Sequence, residues 1–220
     1  YMCIAIIKKT KEGFIVGFNR DELTTRPWKN IGKNWSAHPD VTGYLDEQSG
    51  GSWLAYNDSG ILSFVLNRAT QENDEKLLSR GMLILELLSN TESISEAIRK
   101  LYELNVDAIR PFNLIIMNSQ ECYYYSNIDY TKAICLKSKL VMLNKGIPND
   151  MNEERIRHNW SFFASLNCKD DIKQFKDKML ETSSAINGEL TMSLKGEQWK
   201  TLSHIILKVE EGKEITYETF

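Results

Sequence analysis

The chain has 220 residues, 42% of them hydrophobic, enough for one large or two small domains, and a single αβ domain spanning 1–220 is expected. Charged residues make up 26% and the net charge is −3, so no polybasic face marks a nucleic-acid or acidic-membrane partner. The four cysteines (Cys3, Cys122, Cys135, Cys168) lack CxxC spacing and no apolar run is long enough to span a bilayer, so a cytoplasmic chain with reduced thiols and no stable membrane insertion is expected.

Residues 2–9 and 13–19 are short runs rich in branched side chains, and Thr10-Lys11-Glu12-Gly13 between them reads as a tight turn, which makes a β-hairpin. Loop length sets the register. A two- or four-residue loop places Cys3 opposite Arg20, and a three-residue loop places it opposite Asp21. Either way a thiol near the chain start meets a guanidinium or a carboxylate across the ribbon, with Cβ atoms roughly 5 Å apart. A neighbouring Arg favours the thiolate, which is the nucleophile. Were Cys3 the first residue, its α-amine would stand beside the sulfur as a general base, with Asp21 orienting it or balancing Arg20. The plain alternative is a buried structural thiol beside an ordinary ion pair. Tyr1 precedes Met2 and is expected to be a remnant of cloning, in which case Met2 is the native start.

Residues 23–51 show little periodicity and are expected to form a long ordered loop, its tryptophans lying over something. Residues 52–57 and 61–67 then flank Asp58-Ser59-Gly60 as a second hairpin. Weak alternation in all four strands points to sheets buried on both faces. A helical block follows, one helix from Asn73 to about Asn90 through Leu77 and Leu85, and a second capped by Ser93 with Glu96 at the capping-box position. After Pro111 come strands at 112–118, 121–127, 133–137 and 140–144, whose tight turns predict antiparallel pairing. Helices are expected over 151–167 and 169–185, and a last hairpin over 199–209 and 213–220 around Glu211-Gly212. Strands, helices, strands, helices, strands, with the helices grouped, predict an α+β fold: a four-layer αββα sandwich of two stacked antiparallel sheets.

Met2-Cys3-Ile4 opening a strand, Asn19-Arg20-Asp21-Glu22 closing the next and Arg26-Pro27 soon after resemble the NRDE family, also named for transport and Golgi organisation. The likeness continues through Trp35, Pro39, Gly50-Gly51-Ser52-Trp53-Leu54, Gly60, Asn67-Arg68, Ser79-Arg80-Gly81, Phe112-Asn113-Leu114, Leu143-Asn144 and Lys200-Thr201-Leu202-Ser203. The resemblance implies an N-terminal-nucleophile-type fold and a link to haem trafficking or to acyl-CoA and lipid handling. More distantly, the layout is similar to choloylglycine hydrolases and penicillin V acylases. In that likeness Cys3, Arg20, Asp21 and Asn144 take the catalytic places, Asn144 offering an amide N–H to an oxyanion. Two runs depart from the pattern. Lys145-Gly146-Ile147-Pro148-Asn149 stands where the family has Leu-Asp-x-Pro-Trp-Pro-Lys, and Trp199-Lys200-Thr201 stands where an Arg-rich version is common.

Further pocket candidates are Asn19, Asn67 and Arg68 at strand ends, Gly51 with its backbone N–H groups as an anion holder, and Trp53. A solvated Arg and a simple Gly-Gly turn are the plainer readings of Arg68 and Gly51. No phosphate-binding Gly-rich motif with its Lys is present. His38, His158 and His204 are dispersed, so no metal site and no cofactor are expected, although haem held as a ligand stays open. Two functions remain. One is an N-terminal cysteine hydrolase of amide or thioester bonds; the other is a non-catalytic carrier of haem or acyl-CoA. The expected partner is a small molecule of one of these kinds, and no oligomeric state is implied.

Overall fold

The computed structural model describes residues 2–68, 78–167, 171–182 and 190–220. The expected helix start at Asn73 and Leu77, Cys168, and residues 169–170 and 183–185 of the last expected helix lie outside those residues. The chain divides into two compact units, the first made of Tyr1–Arg26 with Ser138–Phe220, the second of Pro27–Lys137.

The first unit holds a five-stranded antiparallel sheet in the order β10-β1-β2-β11-β12: β10 (Leu140–Leu143), β1 (Ile4–Lys9), β2 (Gly13–Leu23), β11 (Trp199–Glu210) and β12 (Thr216–Thr219). The β1–β2 hairpin closes with a four-residue loop, pairing Ile4 with Asn19 and Lys9 with Phe14. Continued by one residue, that register sets Cys3 opposite Arg20. Period-two alternation sends Ile4 and Ile6 to a core shared with Ile156 and Phe163 of α3 (Glu154–Ser165) and with Phe175 and Met179 of α4 (Ile172–Leu180). Ala5 and Ile7, on the opposite face, are equally buried, as expected of strands covered on both sides. Lys8 is buried too. Its ammonium donates to the main-chain oxygens of Phe163, Ala164 and Leu166, satisfying the open carbonyls at the end of α3 and fixing that helix on β1.

The second unit holds a seven-stranded antiparallel sheet in sequence order: β3 (Trp28–Gly32), β4 (Val41–Asp46), β5 (Leu54–Asn57), β6 (Leu62–Asn67), β7 (Phe112–Met117), β8 (Cys122–Ser126) and β9 (Ile134–Cys135). Helices α1 (Gly81–Leu88) and α2 (Ile94–Glu103) pack Leu83, Leu87, Ala97 and Leu101 against Val65, Leu114 and Ile116. Ser93 caps α2 by accepting from the Glu96 N–H at 3.2 Å, while the Glu96 carboxylate reaches back to Glu92, one residue before the position a capping box predicts.

Two expectations change. The stretch 23–51 contains β3 and β4 rather than one long loop; β3 is half-exposed, carries Lys29 and Asn30, and so shows no apolar period. The strands at 133–137 and 140–144 do not pair with each other. β9 stays beside β8, whereas β10 crosses to the other sheet and pairs with β1. A short connection suggests a hairpin, but β10 is buried along its whole length, and edge pairing with β1 places Leu140 and Met142 in the α3 core.

Candidate functional site

The site is built at the open end of β2, where alternation points Asn19 and Asp21 one way and Arg20 the other. Arg20 is 2% exposed, and its guanidinium lies 3.5 Å from Glu22. Asp21 pairs instead with Arg155 of α3, whose Nη1 donates to Oδ2 at 2.7 Å; the Thr201 hydroxyl donates to Oδ1 at 2.6 Å. A bulge in β11 between Thr201 and Ser203 lets Thr201 face Asp21 while Ser203 faces Arg20. Burial pushes the Asp21 carboxyl up, and the Arg155 charge with the hydrogen bonds from Thr201 and Arg155 opposes it. Asn19 has no exposed surface. Its Nδ2 donates to the carbonyls of Met179 and Met192, both at 2.7 Å, which ties β2 to α4 and to the segment before β11.

Cys3 is partly buried, with Sγ 3.9 Å from the Asp21 carbonyl oxygen. Burial, reinforced by the Asp21 charge, pushes its thiol up to about 12, and the nearby Arg20 offsets only part of this. With Met2 attached, the sulfur is therefore a neutral thiol near pH 7. The carbonyl of Met2, which belongs to the peptide bond entering Cys3, accepts from two side chains: Arg155 Nη1 at 2.9 Å and Asn144 Nδ2 at 3.2 Å. Asn144, the residue after β10, also donates to the Cys3 carbonyl at 2.8 Å. Arg155 is held rigidly, since its Nε donates to Thr191 O at 2.9 Å and its Nη2 to Met192 O at 2.8 Å. Next to these groups lies a cavity of about 660 Å3, lined by Met2, Asn144 and Arg155 and, on its polar side, by Asp150 and Glu153. Glu153 is buried and accepts from the Gly146 N–H; burial raises its carboxyl, and the amides of Gly146 and Lys145 pull the other way.

Cys3, Asn19, Arg20, Asp21 and Asn144 thus lie within the first unit. Gly51, Trp53, Asn67 and Arg68 belong to the second. The Gly51 N–H approaches the Ser49 hydroxyl at 3.4 Å, and a Cβ there would stand 2.2 Å from the Gly81 carbonyl carbon, so close backbone approach accounts for this glycine. Trp53 is buried and stacks on Tyr44 at 4.8 Å between ring centroids. Asn67 ends β6, and Arg68 forms a two-pronged pair with Asp129. The sequence reading missed Arg155 and Glu153. Both sit among charged residues at the start of a polar helix, where nothing in spacing distinguishes them. Thr201 carried a signal, because it lies in the Lys200-Thr201-Leu202-Ser203 run that contributes to the family resemblance.

Among the described residues no group of three or more His, Cys, Asp or Glu side chains is arranged to hold a metal, and no helix is long and apolar enough to cross a membrane. Solved structures share the fold. The chain superimposes on a Caenorhabditis elegans N-acylethanolamine-hydrolyzing acid amidase ortholog with a TM-score of 0.64 at 12% identity, covering 93% of this chain and 92% of that one. Two variants of conjugated bile acid hydrolase from Clostridium perfringens match with TM-scores of 0.52 and 0.54, also at 12% identity, over 99% of this chain and 89% of theirs. The α+β fold, with two antiparallel sheets and four α-helices among the described residues, is like that of these N-terminal-nucleophile hydrolases. The chain belongs to the Transport and Golgi organisation 2 family, whose match runs over residues 2–219. No curated protein matches it in sequence.

Proposed function

We propose that this protein is an N-terminal cysteine hydrolase of amide or acyl-thioester bonds, active once the residues before Cys3 are removed. The observation that supports it is the convergence of Arg155 Nη1 and Asn144 Nδ2 on the carbonyl oxygen next to Cys3. Two side-chain donors on one carbonyl, one of them cationic, form the arrangement that stabilises an oxyanion. With Met2 gone, that position is open to the carbonyl oxygen of a small-molecule substrate in the adjoining cavity. The freed α-amine takes the thiol proton, and Sγ bonds to the substrate carbonyl carbon while the oxygen becomes an oxyanion between the two donors. The C–N or C–S bond then breaks, the leaving group receives the proton from the ammonium, and water hydrolyses the resulting thioester to a carboxylic acid and free Cys3. Asp21 keeps Arg155 in place and compensates its charge. Mass spectrometry of protein made with its native start is expected to show Cys3 as the first residue, and a thiol-directed acylating probe is expected to label it. Met2 retained in fully active protein would refute this reading.

One observation favours a second reading, a carrier of haem or acyl-CoA: in the chain that keeps Met2 the thiol is pushed up to about 12, which silences it as a nucleophile. Among the described residues that line the cavity there is no histidine, so haem there would lack an axial imidazole. Saturable binding measured by absorbance or calorimetry, unchanged in Cys3→Ala, would support the carrier; binding lost in a folded Cys3→Ala would exclude it.

A further inference from the structure

The loop that presents Asn144 is fastened at its far end and in its middle. At its far end Asn149 closes it onto β10: the Asn149 side chain accepts from Met142 N at 2.7 Å and donates to Leu140 O at 3.1 Å, and its own N–H donates to Met142 O at 2.9 Å. In its middle, the Glu153 carboxylate accepts the Gly146 N–H through Oε1. Between these points the Lys145 and Ile147 side chains are exposed, the Ile147 carbonyl accepts from the Asp150 N–H at 3.3 Å, and the Lys145 amide also bears on Glu153. Gly146 is pressed against the acid so closely that a Cβ would stand 2.2 Å from Glu153 Oε1 and 3.0 Å from Asp150 Oδ2. Glu153 itself is 8% exposed and stands immediately before α3, two residues from Arg155. One buried carboxylate therefore joins the loop that bears Asn144 to the helix start that bears Arg155. Their donor atoms meet on a single oxygen, at 3.2 and 2.9 Å.

Two donors stabilise one oxyanion only if their separation is held to about half an ångström. We propose that Glu153 is the positioning residue that sets this separation, acting through the Gly146 N–H. The inference rests on the hydrolase reading. A carboxylate suits the task better than a neutral acceptor, since a charge-assisted hydrogen bond is roughly twice as strong, and an acid at a helix N-terminus is favoured by the helix dipole.

Two probes of Cys3 separate the roles in protein whose chain begins at Cys3. Acylation by p-nitrophenyl acetate forms the S–C bond, breaks the ester C–O bond and releases nitrophenolate through a tetrahedral oxyanion, so it needs the donor pair. Alkylation by iodoacetamide displaces iodide at a saturated carbon and forms no oxyanion. Glu153→Ala is expected to slow acylation on the order of tenfold or more while leaving alkylation within about twofold, and Glu153→Gln, which keeps an oxygen acceptor, is expected to restore most of the rate. Gly146→Ala crowds the same oxygen from the loop side and should produce the same split, so it decides the matter if Glu153→Ala does not fold. Acylation at the wild-type rate in both alanine variants, or acylation and alkylation falling together, overturns the inference and leaves the hydrolase reading standing. A wild-type protein that the ester does not acylate sinks both.

Discussion

At the residue scale the controlling fact is that neighbours on β2 take different partners: Arg20 turns to Glu22, and Asp21 to Arg155. The hairpin made Cys3 and its strand-end acid legible in sequence. The cation that meets the acid was not, because it comes from 134 positions away and only packing of α3 on the sheet delivers it. Removing one member of a buried pair leaves the other uncompensated, at a cost of about 3–5 kcal/mol. Arg155→Met is therefore expected to lose stability on that scale in urea denaturation, and Asp21→Ala combined with Arg155→Met to lose less than the two single changes summed. A pH series adds a signature. Without Arg155 the largest influence opposing burial is gone, and although the Thr201 hydrogen bond remains, the folded-state pKa of Asp21 rises further above the unfolded value near 3.8. The folded state then holds the extra proton, so Arg155→Met should be most stable in acid and lose stability as pH rises through the raised pKa. Additive single changes with a flat pH profile would mean that the two groups are not coupled.

At the element scale, the segment from Leu190 to Leu194 forms one wall of the site by lending its main chain to others. Arg155 takes the carbonyls of Thr191 and Met192, Asn159 that of Leu190 at 2.7 Å, and the Leu194 N–H donates to Thr201 Oγ1 at 2.7 Å. A further tether is Ser193, whose hydroxyl meets His204 Nε2 at 2.9 Å, while Nδ1 faces the Phe220 main-chain oxygen at 3.1 Å. Nδ1 must donate to that oxygen, so Nε2 is the acceptor for Ser193 in the neutral ring. Burial lowers the His204 pKa from its ordinary 6.5. A depressed folded-state pKa means stability that is whole above about 6.5 and is lost as pH falls toward the folded value, because burial penalises the charged ring and protonation reverses the Ser193 bond, Nε2 then donating to Oγ. Hydrogen exchange at the Ser193 amide, which donates to Glu181 O at 3.0 Å, should show less protection at pH 5.5 than at 7.5, and His204→Gln should remove the difference. Equal protection at both values would show that the tether does not titrate. None of this wall was legible in sequence, since main-chain carbonyls carry no residue signature. The hairpins around Gly13, Gly60 and Gly212 were legible because turn chemistry is local. β10 was misread because its pairing depends on which sheet buries it.

At the scale of the whole molecule, the order of strand and helix blocks was readable from periodicity, and the family resemblance grouped Asn144 with Cys3, but only the structure shows the end of the chain returning to flank its beginning, β10 beside β1 and β11 beside β2. That return brings Asn144, Arg155 and Thr201 to the first residues, so the state of the chain start should be felt by groups contributed from the other end. With Met2 present, Arg155 Nη1 and Asn144 Nδ2 share its carbonyl; with the chain beginning at Cys3, both lose that acceptor. Each donor keeps a second acceptor, the Cys3 carbonyl for Asn144 and Asp21 for Arg155, so the loss is that of the shared hydrogen bonds, about 0.5–1.5 kcal/mol each, reduced where water can enter a polar cavity such as this one. The shortened chain is therefore expected to melt several degrees lower than the Met2 form, at roughly 2–4 °C per kcal/mol for a protein of this size. Acetate, compared with chloride at equal ionic strength, should reverse part of that loss, because one carboxylate oxygen can take the place of the Met2 carbonyl between the two donors. The stabilisation should be absent from the Met2 form, where place and acceptor are already filled, and weaker in the shortened chain carrying Asn144→Ala, which lacks one donor. An equal acetate response in all three would mean that the donors do not converge on one open oxygen position, and that their meeting on Met2 serves only to anchor the chain start.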